Sequence, residues 1–411
     1  MRPKFSADRS TTASALILAC KHGDADTRHL QWRALLDRGI DWNLFLILGE
    51  QHDLLPLLFR GLEDPSISRV PQHLVSHLSD HFQANWLRNR LALQSFLNVE
   101  ASLSKADIPT VLLKGLALAN TVYEHPALRQ FGDVDFLIPW NRVSRAREIL
   151  ESADYRPIYP PNMLCDIKSQ RLTRNQEDTY SEYYHEITMQ SLDKLLQLDL
   201  HWNLLPRHYP IGPDVGSIWK SSRTAMLVGH PIRTLSTEHQ LLHTCVHATK
   251  DGWRKLKWVV DVDRIVRSDG QIDWDRVADS AKGWRCERMI GTGIQLAREL
   301  LDTPIPIGSS WPPSRKASAR DVSTVINVFL RPERPRSRVL RCLGINATLL
   351  RLLDTHSCRR RYVQQALTMP RPEDEALFGT QTPNRPLWNL RRPFWVLARC
   401  MGRIGKPGLE E

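Results

Sequence analysis

The stretch Val111-Leu-Leu-Lys114-Gly115-Leu-Ala-Leu-Ala-Asn-Thr-Val-Tyr-Glu-His-Pro-Ala-Leu-Arg129-Gln-Phe-Gly-Asp133-Val-Asp135-Phe-Leu-Ile-Pro139 decides the fold. An apolar, β-branched run at Ile108–Leu113 leads into Lys114-Gly115. A helix-like segment follows, and then a second apolar run, Val134–Ile138, opens with two aspartates. Successive side chains of a strand point to opposite faces. Asp133 and Asp135 therefore share one face, and Val134, Phe136 and Ile138 share the other. Carboxylates at the start of a buried strand are unfavourable unless something compensates them. Two of them side by side suit a hard divalent cation, Mg²⁺ or Mn²⁺. The chemistry that uses this pattern is in-line displacement at phosphorus, with metal ions clamping the attacking and leaving oxygens.

A third acid lies downstream. Glu182–Gln190 and Leu196–Trp202 flank the polar stretch Ser-Leu-Asp-Lys, a pattern that predicts an antiparallel hairpin. In its second strand Leu196, Leu198, Leu200 and Trp202 face one way, and Gln197, Asp199 and His201 face the other. Asp199 is thus a candidate to join Asp133 and Asp135 as a metal ligand and as, or near, the general base. The alternative for Asp199 is a charge that guards a strand edge.

Around this centre the period is helical. Ala13–Lys21, His29–Leu36, Trp42–His52, Leu54–Gly61 and a long run from His73 to Lys105 repeat apolar residues every three or four positions. Asn141–Ala153 is a further amphipathic helix, and a short β-pair is predicted around Thr224–Leu235, turning at Gly229-His230-Pro231. Ser236 reads as the N-cap of a helix through His247. Helices at Leu256–Arg267, Trp274–Lys282 and Arg285–Leu301 follow. The fold class is α+β, a small mixed β-sheet bracketed by helical regions. Four units are expected: an N-terminal helical region at 1–105, the sheet-bearing core at 106–206, a helical region closing the cleft at 207–302, and a linker with a basic helical C-terminal region at 303–411.

Hydrophobic and charged fractions of 42% and 25% place the chain among ordinary globular proteins, and no window is apolar enough for a membrane span. The net charge of +11 favours anionic partners without choosing among nucleotides, nucleic acid and membrane surfaces. Seven scattered cysteines form no CxxC pair or zinc spacing, which reads as reduced thiols in a cytoplasmic protein. The N-terminus lacks the apolar core of a signal peptide.

Three pieces together carry a resemblance: Lys114-Gly115, Arg129-Gln-Phe-Gly-Asp133-Val-Asp135-Phe-Leu-Ile, and Leu198-Asp199-Leu-His201-Trp202. They resemble the bacterial uncharacterised nucleotidyltransferase family, within the DNA polymerase beta-type nucleotidyltransferase superfamily. The likeness extends through Gln51-His52-Asp-Leu-Leu-Pro56, Arg88-Asn89-Arg90, Ser236–His247, Trp253–Asp261 and Asp273-Trp274, and faintly through Leu387–Arg399. It implies a nucleotidyltransferase core in which Asp133, Asp135 and Asp199 hold Mg²⁺ or Mn²⁺ while NMP passes from an NTP to an acceptor. Lys114 and the Gly115 turn would cradle phosphates at a helix start. The acceptor class implied by analogy is a small molecule, peptide or polysaccharide precursor in a bacterial biosynthetic cluster. Two departures stand out: Leu116 follows the glycine where Ser is usual, and the gap from Gly115 to Asp133 is longer than usual.

Other candidates keep two readings. Arg129 would either reach a phosphate or hold the Asp133 loop by a salt bridge. His201 would contact ribose or base, or orient Asp199. His239, His243, His247 and Asp251 recur every four residues along one helix side, without an HExxH motif. In the resembled family His247 falls in a characteristic motif, so His247 and Lys250 are expected to face the nucleotide. Arg359–Arg361, and Arg391-Arg392 beside Trp388, Phe394 and Trp395, invite either nucleic-acid binding or packing with arginines reaching outward. The rivals to the enzyme are a non-catalytic nucleotide- or peptide-binding module and a nucleic-acid end-modifying enzyme.

Overall fold

The computed structural model describes residues 6–22, 25–63, 70–159, 180–268, 272–305 and 345–369, with single positions at 67, 322, 325, 326 and 394. Five helices come first: α1 (Ser6–Cys20), α2 (Ala25–Arg38), α3 (Trp42–Gln51), α4 (Leu55–Leu62) and α5 (Gln72–Ser104). Then come β1 (Val111–Leu112), α6 (Lys114–Thr121), β2 (Asp133–Leu137), α7 (Val143–Ser152), β3 (Tyr155–Ile158), β4 (Glu186–Ser191) and β5 (Gln197–His201). The chain continues through α8 (Val215–Ser221), β6 (Arg223–Leu227), β7 (His230–Thr234), α9 (Thr237–Lys250), α10 (Lys257–Arg267), α11 (Trp274–Trp284) and α12 (Glu287–Leu301). Two further helices, α13 (Ala347–Leu352) and α14 (His356–Thr368), complete the described elements.

The strands form one mixed seven-stranded sheet in the order β3-β4-β5-β2-β1-β7-β6. The hairpins β4–β5 and β6–β7 are antiparallel, as their sequence patterns predict, and β2 runs parallel to β5. The β6–β7 pair joins through a parallel contact of β7 with β1, so the sheet takes strands from both sides of residue 206. No helix among the described residues is long and apolar enough to cross a membrane.

Alternation along the strands divides the interior. Val134 and Phe136 of β2 with Ile138 just after it, Leu198 and Leu200 of β5, and Ile187 and Met189 of β4 bury against Phe96 and Leu103 of α5 and Ala146 and Leu150 of α7. A second core joins α1–α4 to α9–α12 through Trp32, Phe45, Leu58, Trp253, Val259 and Met289. The chain thereby covers one sheet face with apolar packing and leaves the acidic face to α9.

Loops and helix starts show specific causes. Ser236 caps α9 by accepting from the His239 N–H, as its position before the apolar run predicts. Asn85 and Asn89 of α5 are buried and donate to the carbonyls of Pro126, Ala127 and Arg129, fixing the loop that delivers β2. At the crossing of α1 and α4, a Cβ on Gly61 would lie 2.2 Å from the Ala19 carbonyl oxygen. Gly61→Ala should therefore force the helices apart and lower stability by about 1–3 kcal/mol, read as a lower urea midpoint. An unchanged midpoint would refute that close approach.

The four cysteines among the described residues, Cys20, Cys245, Cys286 and Cys358, are free and buried, which fits the reduced-thiol reading. The remaining three, the segment 160–179 and the Arg391-Arg392 cluster lie outside the described residues. In the basic stretch of α14, Arg359 donates to the carbonyls of Arg351 and Leu353 and so closes a helix connection.

Candidate active site

Strand β2 starts at Asp133, directly after Gly132, and ends at Leu137, two residues before Pro139. The parallel register sets Asp135 opposite Asp199 and Leu137 opposite His201. On the other side of β5, the antiparallel register sets Glu186 opposite His201 and Thr188 opposite Asp199. Opposed residues share a sheet face. Asp133, Asp135, Asp199, His201 and Glu186 therefore come together on one side of three adjacent strands.

Their side chains form a buried polar chain. Lys114 Nζ sits 2.7 Å from Asp135 Oδ1, and His201 Nε2 reaches the same oxygen at 2.9 Å. The other ring nitrogen of His201 lies 3.1 Å from Glu186 Oε2, which also faces His185 Nε2 at 3.3 Å. Ligand atoms of Asp135, Glu186, Asp199 and His201 all fall within 4.8 Å of one another. Lys114 itself adopts a positive φ of 30° where α6 begins, an unusual conformation for a lysine.

The charges set each other's protonation. Burial would raise the Asp135 carboxyl, but the Lys114 ammonium and His201 hold it well below the usual carboxylate range. Asp133 is raised, first by the neighbouring Asp135 charge and then by burial. Asp199 is pushed up to about 7, first by burial and then by Asp135. Glu186 is lowered against its burial by His185, His201, Lys250 and Lys114. Lys114 is raised despite burial by Asp135, Glu186 and Asp133.

Helix α9 lies against this cluster. His243 and His247 are both held neutral by burial and then by the Lys114 ammonium. His247 pairs with Asp251 at 3.4 Å and packs edge-on against Trp258, with ring centroids 4.8 Å apart. Lys250 is close enough to lower Glu186. His239, by contrast, meets Ser221 Oγ at 2.8 Å and stacks on Trp284, so the four-residue stripe divides between packing and the site. The histidines of α9 belong to none of the close donor groups found among the described residues.

The neutral His247 carries a pH consequence. Its value falls from the ordinary 6.5 to about 4 on folding. Below pH 6.5 the unfolded chain takes up a proton that the folded chain refuses, so this stabilisation is full above 6.5 and is lost as pH falls toward 4. The Tm should drop more steeply across that window in the wild type than in His247→Gln. Equal slopes would show that His247 is not held neutral.

Arg129 makes the salt bridge of its holding reading, and its partner is Asp261. It is 4% exposed and turns from the acidic face to grip Asp261 of α10, Nε to Oδ1 at 2.8 Å and an Nη to Oδ2 at 2.9 Å. Tyr123 donates to the same Asp261 at 2.7 Å. Two of its three guanidinium nitrogens are taken by Asp261, and Nη1 is buried without a hydrogen-bond partner. His201, 1% exposed, likewise has an orienting geometry, and the carboxylate it orients is Asp135 where the sequence suggested Asp199. Gly115 has a packing reason: a Cβ there would lie 3.1 Å from the Phe131 Cβ and 3.3 Å from the Asp133 carbonyl oxygen. The glycine lets α6 approach β2 closely and so brings Lys114 over Asp135.

Sequence reasoning passed over Glu186 and His185. Their signal was present in the hairpin, since an antiparallel strand partner of His201 must share its face, but the pairing register was needed to name the residue. A divalent cation suits the residues present. Asp199 Oδ1 is buried and has no hydrogen-bond partner, and it faces a concentration of oxygen donors.

The family described as Uncharacterised nucleotidyltransferase matches residues 38–302, which span α3–α12 and the whole sheet. The chain belongs to this family and is a nucleotidyltransferase. No curated protein gives a significant match. Among solved structures, the solution structure of the antibiotic-resistance factor ANT(2'')-Ia aligns at 14% identity over 48% of this chain and 92% of its own, with a TM-score of 0.33. The crystal structure of ANT(2'')-Ia in complex with adenylyl-2''-tobramycin aligns at 15% identity over 47% of this chain and 95% of its own, with a TM-score of 0.31.

Proposed function

We propose that this chain transfers NMP from an NTP to an acceptor oxygen on the acidic face of the sheet, with Asp133, Asp135 and Asp199 as its reactive centre. The observation that carries the reading is the direct pairing of Asp135 with Asp199 on adjacent parallel strands, beside a buried and unpartnered Asp199 oxygen. Mg²⁺ or Mn²⁺ held by Asp133, Asp135 and Asp199 would supply positive charge at the phosphorus undergoing displacement.

The chain's own groups do the rest. The acceptor hydroxyl attacks the α-phosphorus in line, and the bond to the pyrophosphate oxygen breaks as the new P–O bond forms. Asp199, raised by burial and by Asp135, is suited to take the acceptor's proton. Lys114, fixed over Asp135, contributes a permanent positive charge to the phosphates. His201 holds Asp135 in orientation from below, and Arg129 fixes the loop that delivers both aspartates. His247 and Lys250 on α9 form the opposite wall, toward which the nucleotide is oriented. The acceptor is a small molecule, peptide or polysaccharide precursor that presents a hydroxyl or phosphate.

The test separates outer-phosphate contacts from the rest. Lys114→Ala should weaken NTP binding more than NMP binding in calorimetric titrations with Mg²⁺, by about tenfold for one charged contact. Equal losses for NTP and NMP would remove Lys114 from the outer phosphates.

A further inference from the structure

One donor set, which shares Glu186 and His201 with the site, adds His185, a residue this chemistry does not use. His185 Nε2 and His201 Nδ1 converge on a single oxygen, Glu186 Oε2, at 3.3 and 3.1 Å. The three donor atoms lie within 4.8 Å of one another. Both imidazoles are buried, at 4% and 1% exposure, while the Glu186 side chain is 27% exposed and gives the group one side open to solvent.

The hydrogen bonding of His201 makes this set unusual. Its Nε2 lies 2.9 Å from Asp135 Oδ1, an acceptor-only carboxylate, so Nε2 carries the proton. Its Nδ1 makes no hydrogen bond, although Glu186 Oε2 is only 3.1 Å away. With the proton on Nε2, Nδ1 is a buried nitrogen ligand atom left without a partner beside a carboxylate oxygen. A cation bound beside both atoms would give that nitrogen a partner. A ring whose far N–H is held by a carboxylate is also the usual arrangement of a metal-ligating histidine.

We infer that His185, Glu186 and His201 form a seat for a divalent transition metal of the zinc class that adjoins the Asp133–Asp135–Asp199 centre, since Glu186 and His201 also lie within 4.8 Å of Asp135 and Asp199. Two imidazoles and one carboxylate favour such an ion over Mg²⁺, which prefers oxygen. The open side next to Glu186 leaves room for a water ligand. A cation there fixes the His201 ring, and through it the orientation of Asp135.

The test uses Zn²⁺ calorimetry and the visible spectrum of Co²⁺, on metal-stripped full-length protein in excess Mg²⁺. One Co²⁺ per chain should bind with visible bands, and Zn²⁺ should displace it. His185→Asn should lower the affinity by about tenfold or more. Asp133→Asn, which removes a ligand only of the other centre, should leave it unchanged. Should His185→Asn not fold, Glu186→Gln at the part-exposed position should show the same loss. No bands, bands indifferent to both His185→Asn and Glu186→Gln, or bands lost in Asp133→Asn would each overturn the assignment. Because no turnover is read, these outcomes are independent of whether nucleotidyl transfer stands.

Discussion

Asp135→Asn is expected to lower kcat/KM for pyrophosphate release by on the order of 10³-fold or more, while the protein remains folded. Asparagine keeps the shape of the side chain but removes the charge on which Lys114 and His201 both converge. Three effects then act together. The centre loses one anionic oxygen ligand, Lys114 loses its anchor, and His201 loses the acceptor that orients it. A pyrophosphate-release assay with each NTP, beside a thermal melt, reads the activity and the fold separately. Wild-type turnover in a folded Asp135→Asn protein would remove Asp135 from the chemistry.

The second large effect is on stability. Arg129→Ala leaves Asp261, with no solvent exposure, as a buried charge whose fork has been removed, and Tyr123 alone cannot replace it. Breaking a buried pair in this way costs about 3–5 kcal/mol. Because Arg129 lies between β2 and α10, the loss should appear in global unfolding by urea. NTP affinity of the molecules that remain folded should change little. A protein of normal stability with weakened NTP binding would instead give Arg129 the phosphate role that its place before Asp133 also suggested.

The same residue shows what the sequence can and cannot tell. Strand parity is local, so Asp133 with Asp135 and Asp199 with His201 could be put on common faces from their spacing alone. The hairpins β4–β5 and β6–β7 and the cap at Ser236 were legible for the same reason, since their signals lie within a few residues. Arg129's partner was not legible, because Asp261 lies 132 positions away along the chain. Glu186 was hidden by register: shifting β4 by one residue would have turned it to the other face. The asparagines of α5 at 85 and 89 are both buried to hold a loop that only the tertiary fold brings to them. Gly115 looked like a phosphate-side glycine, and its close neighbours are Phe131 and the Asp133 backbone.

The most direct measurement is calorimetric titration of each NTP into the wild type and Asp135→Asn, with Mg²⁺ and again with a chelator. Metal-dependent binding of at least one NTP is expected in the wild type, because the phosphate oxygens complete the coordination that the carboxylates begin. In Asp135→Asn that dependence should be lost. Equal affinity with and without metal, unchanged by the substitution, would contradict the catalytic reading of the carboxylate centre.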